Sequence, residues 1–212
     1  MVQFRPQQTQ EATDLFHQLR QQARESGVEV SALEGARNML TRMGCNPPVE
    51  VIEEIVADLE RDCLLEAAPV EGALDTLQHL RDAGYTMGVV SSAGWPPFVE
   101  MALEAHGMRP FFAEILTSAG EGIYKSDPEI FRRAVSRLGF TSGEVVHVGD
   151  HARYDVQSAH TAGLRTVWFA AHARRTALLH NADWDTLASD GAQADAIIYA
   201  LPELLQVVSR WS

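Results

Sequence analysis

Two carboxylates, a lysine and a pair of serines stand in this chain where chemistry could be done. Asp150 follows Gly149 at the end of the apolar run Val145-Val146-His147-Val148, and Asp155 comes five residues later. Lys125 lies in Gly122-Ile123-Tyr124-Lys125-Ser126-Asp127-Pro128, just ahead of a helix start. Ser91 and Ser92 close the run Val89-Val90 and lead into Ala93-Gly94. Hard carboxylate oxygens a turn apart suit Mg²⁺, which keeps several waters and takes one or two protein carboxylates. A lysine nearby offsets phosphate charge as a point cation. A hydroxyl with free backbone N–H groups in a Gly-containing turn can hold a phosphate oxygen. Each feature also has a plainer reading. Asp150 could simply cap the next helix, Lys125 could be an exposed loop lysine, and the serines could be a capping turn.

These residues need elements to position them, and the sequence supplies two kinds. The first third reads as helix only. Ala12, Leu15, Phe16, Leu19 and Ala23 repeat at helical spacing. Ser31 with Glu34 three residues later is a capping-box pattern for a helix to Arg42. A third helix starts near Pro47-Pro48, with Val51, Ile52, Ile55, Val56, Leu59 and Cys63 on one face. No strand signal precedes residue 85. Helix and strand then alternate. Leu74, Leu77 and Leu80 mark a helix ending at Gly84, and Thr86–Val90 is a strand. Trp95–His106 reads as helix, Phe112–Leu116 as strand, and Asp127-Pro128 opens a helix to about Leu138. Val145–Val148 is a strand, Asp155–Ala162 a helix and Leu164–Phe169 a strand; Ala196–Tyr199 and a helix from Pro202 follow. Such alternation predicts an α/β fold, a parallel sheet with helices on both faces. In open sheets of this kind ligands bind beyond the carboxyl ends of the strands, where Ser91 and Asp150 fall. The boundary is expected near Ala67–Val70, giving a helical segment 1–67 and an alternating segment 68–212.

Composition narrows the partners. The chain has 212 residues, 46% of them hydrophobic, and a formal net charge of −12. That charge argues against DNA or RNA, whose phosphates need a basic face, but a small phosphorylated ligand needs only local donors. No apolar run approaches the ~20 residues of a membrane helix. The two cysteines, Cys45 and Cys63, fit a reducing cytoplasm.

Taken together, Ser91, Lys125, Asp150 and Asp155, in this order and spacing, resemble the haloacid dehalogenase superfamily, most of whose members are phosphatases. Ser91 matches the second-motif Ser/Thr, Lys125 the third-motif lysine, and Asp150 with Asp155 the fourth-motif acids. The stretches Lys-Ser-Asp-Pro-Glu-Ile-Phe (125–131) and Gly-Asp-His-Ala-Arg-Tyr-Asp (149–155) carry most of the likeness, which covers roughly 70–200. Ser92 stands where Asn is common, and His151 where Ser is frequent. The resemblance implies a Rossmann-like core (68–212) and a small helical cap (1–67). It implies Mg²⁺ held by Asp150 and Asp155, phosphate held by Ser91, Ser92 and Lys125, and a small phosphate monoester as substrate. Lys125, Asp150 and Asp155 would be the catalytic residues.

One departure is large. The family's first strand ends in Asp-x-Asp-Gly-Thr, which supplies the nucleophile, the general acid/base and a metal ligand, and this sequence has none. Val2-Gln3-Phe4-Arg5-Pro6 reads like the residues that follow it, so the chain reads as starting just after that motif. Hydrolysis is then expected to be impaired, and a catalytically silent binding module on the same fold is the alternative. The absent strand is also the family's central one. Its two neighbours, Thr86–Val90 and Val145–Val148, would expose apolar edges. Val2-Gln3-Phe4 could fill the gap, the neighbours could pair directly, or a second copy could exchange a segment. A homodimer is the expectation.

Overall fold

The computed structural model describes residues 6–179 and 193–211. Three helices come first: α1 (Pro6–Ser26), α2 (Ala32–Arg42) and α3 (Val49–Glu66). The capping box at α2 forms as the sequence predicts. Ser31 Oγ accepts the Glu34 backbone N–H, and the Glu34 carboxylate accepts the Ser31 backbone N–H, so two orphan donors are satisfied. Leu40 of α2 packs on Ile52 and Val56 of α3, all three buried. The apolar face expected of α3 is wider than the stripe its neighbours cover. Val51, Ile55 and Leu59 therefore stay exposed.

From Ala73 the chain alternates, through α4 (Ala73–Asp82), β1 (Met87–Ser91), α5 (Pro96–Ala105), β2 (Phe112–Thr117), α6 (Ser118–Glu121) and α7 (Glu129–Leu138). It continues with β3 (Val146–Gly149), α8 (Ser158–Thr161), β4 (Arg165–Phe169), α9 (Ala171–Leu179), β5 (Ala196–Ile198) and a last helix, Glu203–Ser209. The single helix expected over Asp155–Ala162 is instead a π-helical turn, Ala152–Gln157, running into the short α8. Every strand pair is parallel, as helical crossovers require. Period-two alternation then divides the side chains between faces. Val146 and Val148 pack on Leu80, Leu204 and Val208, under α4 and the last helix. His147 points the other way and meets Phe131 of α7 edge-on at 4.7 Å. Helices thus lie on both faces, around apolar clusters that include the fully buried Ile130, Ala159 and Val167. Among the described residues no helix is long and apolar enough to cross a membrane.

The strands form two sheets rather than one: β1–β2 and β3–β4–β5. Direct pairing of β1 with β3 does not occur, and Val2-Gln3-Phe4 lies outside the described residues. Between the two sheets is a cavity of about 690 Å³, lined by Val89 and Val90 of β1, Val146 and Val148 of β3, and Leu80 of α4. Among the described residues, helices rather than strand ladders hold the sheets together. Met87 of β1 and Val146 of β3 rest on the same apolar cluster, and on the opposite face Val90 and Val145 both pack against the cluster that holds Ile130 and Phe131 of α7.

Candidate active site

β3 ends at Gly149, and the chain must then turn back over its own edge. A Cβ on Gly149 would fall 2.6 Å from Asp155 Oδ2, so only glycine leaves room for that carboxylate. The π-helical turn brings Asp155 to this position. Such turns insert one extra residue and recur at functional sites. Asp155 is buried at 3% exposure and fully engaged. Lys125 Nζ forms an ion pair with Oδ1, His147 Nε2 lies 3.3 Å from the same oxygen, and the His151 backbone N–H donates to Oδ2 at 2.9 Å. Burial alone would raise the Asp155 carboxyl. The His147 bond and the Lys125 charge outweigh it and hold the group well below the ordinary carboxylate range. Burial pushes His147 below its usual value, against the pull of Asp155, so the ring is neutral at pH 7.

Asp150 and Asp155, paired in the sequence reading, part company here. The Asp150 backbone carbonyl accepts Trp168 Nε1–H at 2.9 Å. Its residue is exposed, and among the described residues its carboxylate has no ion pair. Ser91 closes β1, in the other sheet, and is half-buried; Ser92 follows the strand and is exposed. Among the described residues their hydroxyls make no hydrogen bond to Lys125, Asp150 or Asp155. Among the described residues, then, Lys125 pairs with Asp155, while Asp150, Ser91 and Ser92 stand at strand ends outside that pair. No three His, Cys, Asp or Glu side chains among the described residues gather as a metal cluster.

A second set of contacts, centred on Glu29, went unread in the sequence. The segment after α1 is sewn to the segment before Lys125. Tyr124 N–H donates to the Gly27 carbonyl at 2.8 Å, and Glu29 N–H to the Gly122 carbonyl at 3.2 Å. The Glu29 side chain has no exposed surface. It accepts from Arg20 Nη1 at 2.7 Å, Ser118 Oγ at 2.7 Å and the Val30 backbone N–H at 3.0 Å. Tyr124, buried, meets Tyr154 edge-on at 5.6 Å and carries Arg20 over its ring at 5.2 Å. His172, Arg174 and Arg175 lie exposed on α9.

Comparison with known proteins agrees with this architecture. Residues 5–163 match the family model for haloacid dehalogenase-like hydrolases. A glyceraldehyde 3-phosphate phosphatase of Methanopyrus kandleri is 30% identical over 133 residues, 61% of this chain and 55% of that protein. The chain thus spans about half the length of the curated relatives it matches. Among solved structures, the hydrolase YfnB of Bacillus subtilis superposes with a TM-score of 0.67 at 19% identity, over 98% of this chain and 85% of the other. A 2-haloacid dehalogenase of Pseudomonas syringae gives 0.66 at 21%, over 96% and 81%. The chain belongs to the haloacid dehalogenase-like hydrolase family.

Proposed function

We propose that the cleft at the carboxyl ends of β1 and β3 binds a small phosphate monoester and, with Mg²⁺, serves its hydrolysis. One observation carries the reading: Lys125 is fixed by the buried Asp155, and the His151 backbone N–H, next in the chain after Asp150, donates to that same carboxylate at 2.9 Å. Asp155 fixes the position of Lys125, and Lys125 offsets charge on the phosphoryl oxygens. Ser91 and Ser92 offer hydroxyls from the other sheet. Asp150 would anchor Mg²⁺, whose remaining ligands would be phosphate oxygens and water. When bound, the ion would neutralise charge developing on the phosphoryl group. The phosphatase named above supports a phosphorylated substrate.

The sequence carries no Asp-x-Asp-Gly-Thr. Positioning and electrostatics without a nucleophile leave roughly 10³–10⁴-fold over water in a protease example, so hydrolysis by this chain is slow. The same absence favours the second reading, a silent module that binds phosphate esters without turning them over. The facing edges of β1 and β3 fit a homodimer in which a second copy covers them. Light scattering over a dilution series tests that, and a monomer at every concentration removes it. The unpaired Cys45 and Cys63 suit a reducing compartment such as the cytoplasm.

The test of function is a phosphatase screen on this chain, on Asp150→Asn and Lys125→Ala variants, and on a version carrying an added Asp-x-Asp-Gly-Thr strand. Slow hydrolysis that rises with the added strand and falls in both variants is expected. Full turnover that survives both substitutions would overturn the reading.

A further inference from the structure

His147 sits inside β3, and the proposed hydrolysis gives it no part. Its place follows from the strand. Side chains alternate between faces, so His147 and Gly149 share one face, about 6.5 Å apart along the strand. On that face Gly149 has no Cβ, and Asp155 Oδ2 takes the space, 2.6 Å from where a Cβ would be. The carboxylate thus lies over the strand, within reach of the residue two places earlier. His147 Nε2 is 3.3 Å from Asp155 Oδ1, the same oxygen that pairs with Lys125 Nζ. Phe131 meets the imidazole edge-on at 4.7 Å, and the His147 side chain is only 14% exposed.

These contacts fix the chemistry of the ring. An ionised carboxylate only accepts hydrogen bonds, so the nitrogen that faces it carries a proton. Burial, helped by the charge on Lys125, keeps the ring neutral against the pull of Asp155. A neutral imidazole has one N–H, so His147 is the Nε2–H tautomer with Nδ1 unprotonated. It holds Oδ1 as a neutral donor and leaves Lys125 as the cation on that oxygen. The other oxygen, Oδ2, accepts the His151 backbone N–H at 2.9 Å. A carboxylate held at both oxygens does not turn about its Cβ–Cγ bond. The direction from which it draws the flexible Lys125 stem is then set by groups behind it, as a supporting shell sets a site.

We propose that His147 is a positioning residue: by donating Nε2–H to Asp155 Oδ1 it fixes the carboxylate that aims Lys125 at the phosphoryl group. It acts only through Asp155 and Lys125. This rests on the reading of Lys125 as a phosphate contact.

Isothermal titration with ethyl phosphate tests this on the full chain and on four variants. His147→Phe keeps the ring's bulk and removes the donor, and His147→Gln keeps a donor. Lys125→Ala and the double variant His147→Phe with Lys125→Ala complete the cycle. His147→Phe is expected to weaken binding roughly 3- to 30-fold, the size of coupling between neighbours in one hydrogen-bond network. His147→Gln should recover part of that loss. With Lys125 already replaced by alanine, His147→Phe should have no further effect. A packing role would instead give the same loss with Lys125 present or absent and no recovery by glutamine, and that result would overturn the positioning role. If thermal unfolding shows His147→Phe to be misfolded, nitrogen NMR of the native protein decides without a variant. At pH 7 the His147 ring should show Nε2 protonated and Nδ1 bare; the opposite tautomer, or a doubly protonated ring, would overturn the assignment. Binding that needs Lys125 but ignores a folded His147→Phe would remove His147 and leave the phosphate cleft standing. Binding that ignores Lys125 would overturn both.

Discussion

Asp155→Asn removes one charge from the centre of the site and keeps the side chain's shape. The amide can still accept the His151 backbone N–H, which donates to Oδ2 at 2.9 Å in the native protein. What is lost is the counter-charge of Lys125, in a pair whose side chains are 12% and 4% exposed. Removing one member of a buried pair costs about 3–5 kcal/mol. The flexible lysine stem lets the ammonium find water, which places the expected loss near about 3 kcal/mol. That is a large share of the ~5–15 kcal/mol that holds a domain together. Urea unfolding at pH 7 measures it through the midpoint at constant slope. The pH dependence gives a second reading. Asp155 titrates below its unfolded value of 3.8, so its contribution is present above that value and disappears as pH falls through it towards the folded value. His147 titrates below 6.5. The unfolded ring therefore takes up its proton first, and stability also falls as pH drops below 6.5. The native protein should lose stability in two stages on acidification, and Asp155→Asn should lack the second. A loss under ~1 kcal/mol at pH 7, or acid limbs that run parallel below pH 4, would refute Asp155 as the buried anchor of Lys125.

Three further outcomes are expected. Gly149→Ala drives a Cβ to 2.6 Å from Asp155 Oδ2 and should cost about 1–3 kcal/mol, seen as a fall in Tm of at least ~3 °C; an unchanged melt would show that the carboxylate moves freely. Glu29→Gln leaves Arg20 without its carboxylate and slackens the seam to Gly122 and Tyr124. It should lower stability by about 3 kcal/mol and speed amide exchange at Glu29 and Tyr124, and normal protection there would refute the seam. Ser31→Ala removes the α2 cap and should cost about 1 kcal/mol in urea unfolding, with no effect on phosphate binding.

What could be read from the sequence was local. The capping box at Ser31 and Glu34, the helix start after Asp127-Pro128, and the strand ends carrying Ser91 and Gly149-Asp150 all depend on residues a few places apart. The family pattern singled out Lys125 and Asp155 as well, but as a phosphate contact and a metal acid, not as the ion pair they form. Contacts made at long range were not legible. Ser118 and Glu29 meet across 89 residues, and no periodicity points from one to the other. The π-helical turn at Ala152–Gln157 was hidden for a different reason: one inserted residue changes the hydrogen bonding without changing composition. The same limit applies to α3. Its apolar arc predicts a helix, but how much of the arc is covered depends on neighbours that the helix's own sequence does not describe.

The division of the sheet bears directly on the chemistry. Ser91 closes a strand of one sheet and Asp150 follows a strand of the other, with no ladder between β1 and β3. Their separation is therefore set by α4, α7 and the last helix, which pack on both sheets through apolar contacts. Apolar contacts are non-directional and fix a distance less firmly than a row of backbone hydrogen bonds. Lys125 is different, because the Asp155 pair and the Gly27–Tyr124 seam tie it to the β3 side and to the helical segment together. The half of the site on β3 is thus preorganised, while the serine half is held only through the helices. The gap between Ser91 and Asp150 is thus set by how the helices pack on either side of the cavity of about 690 Å³.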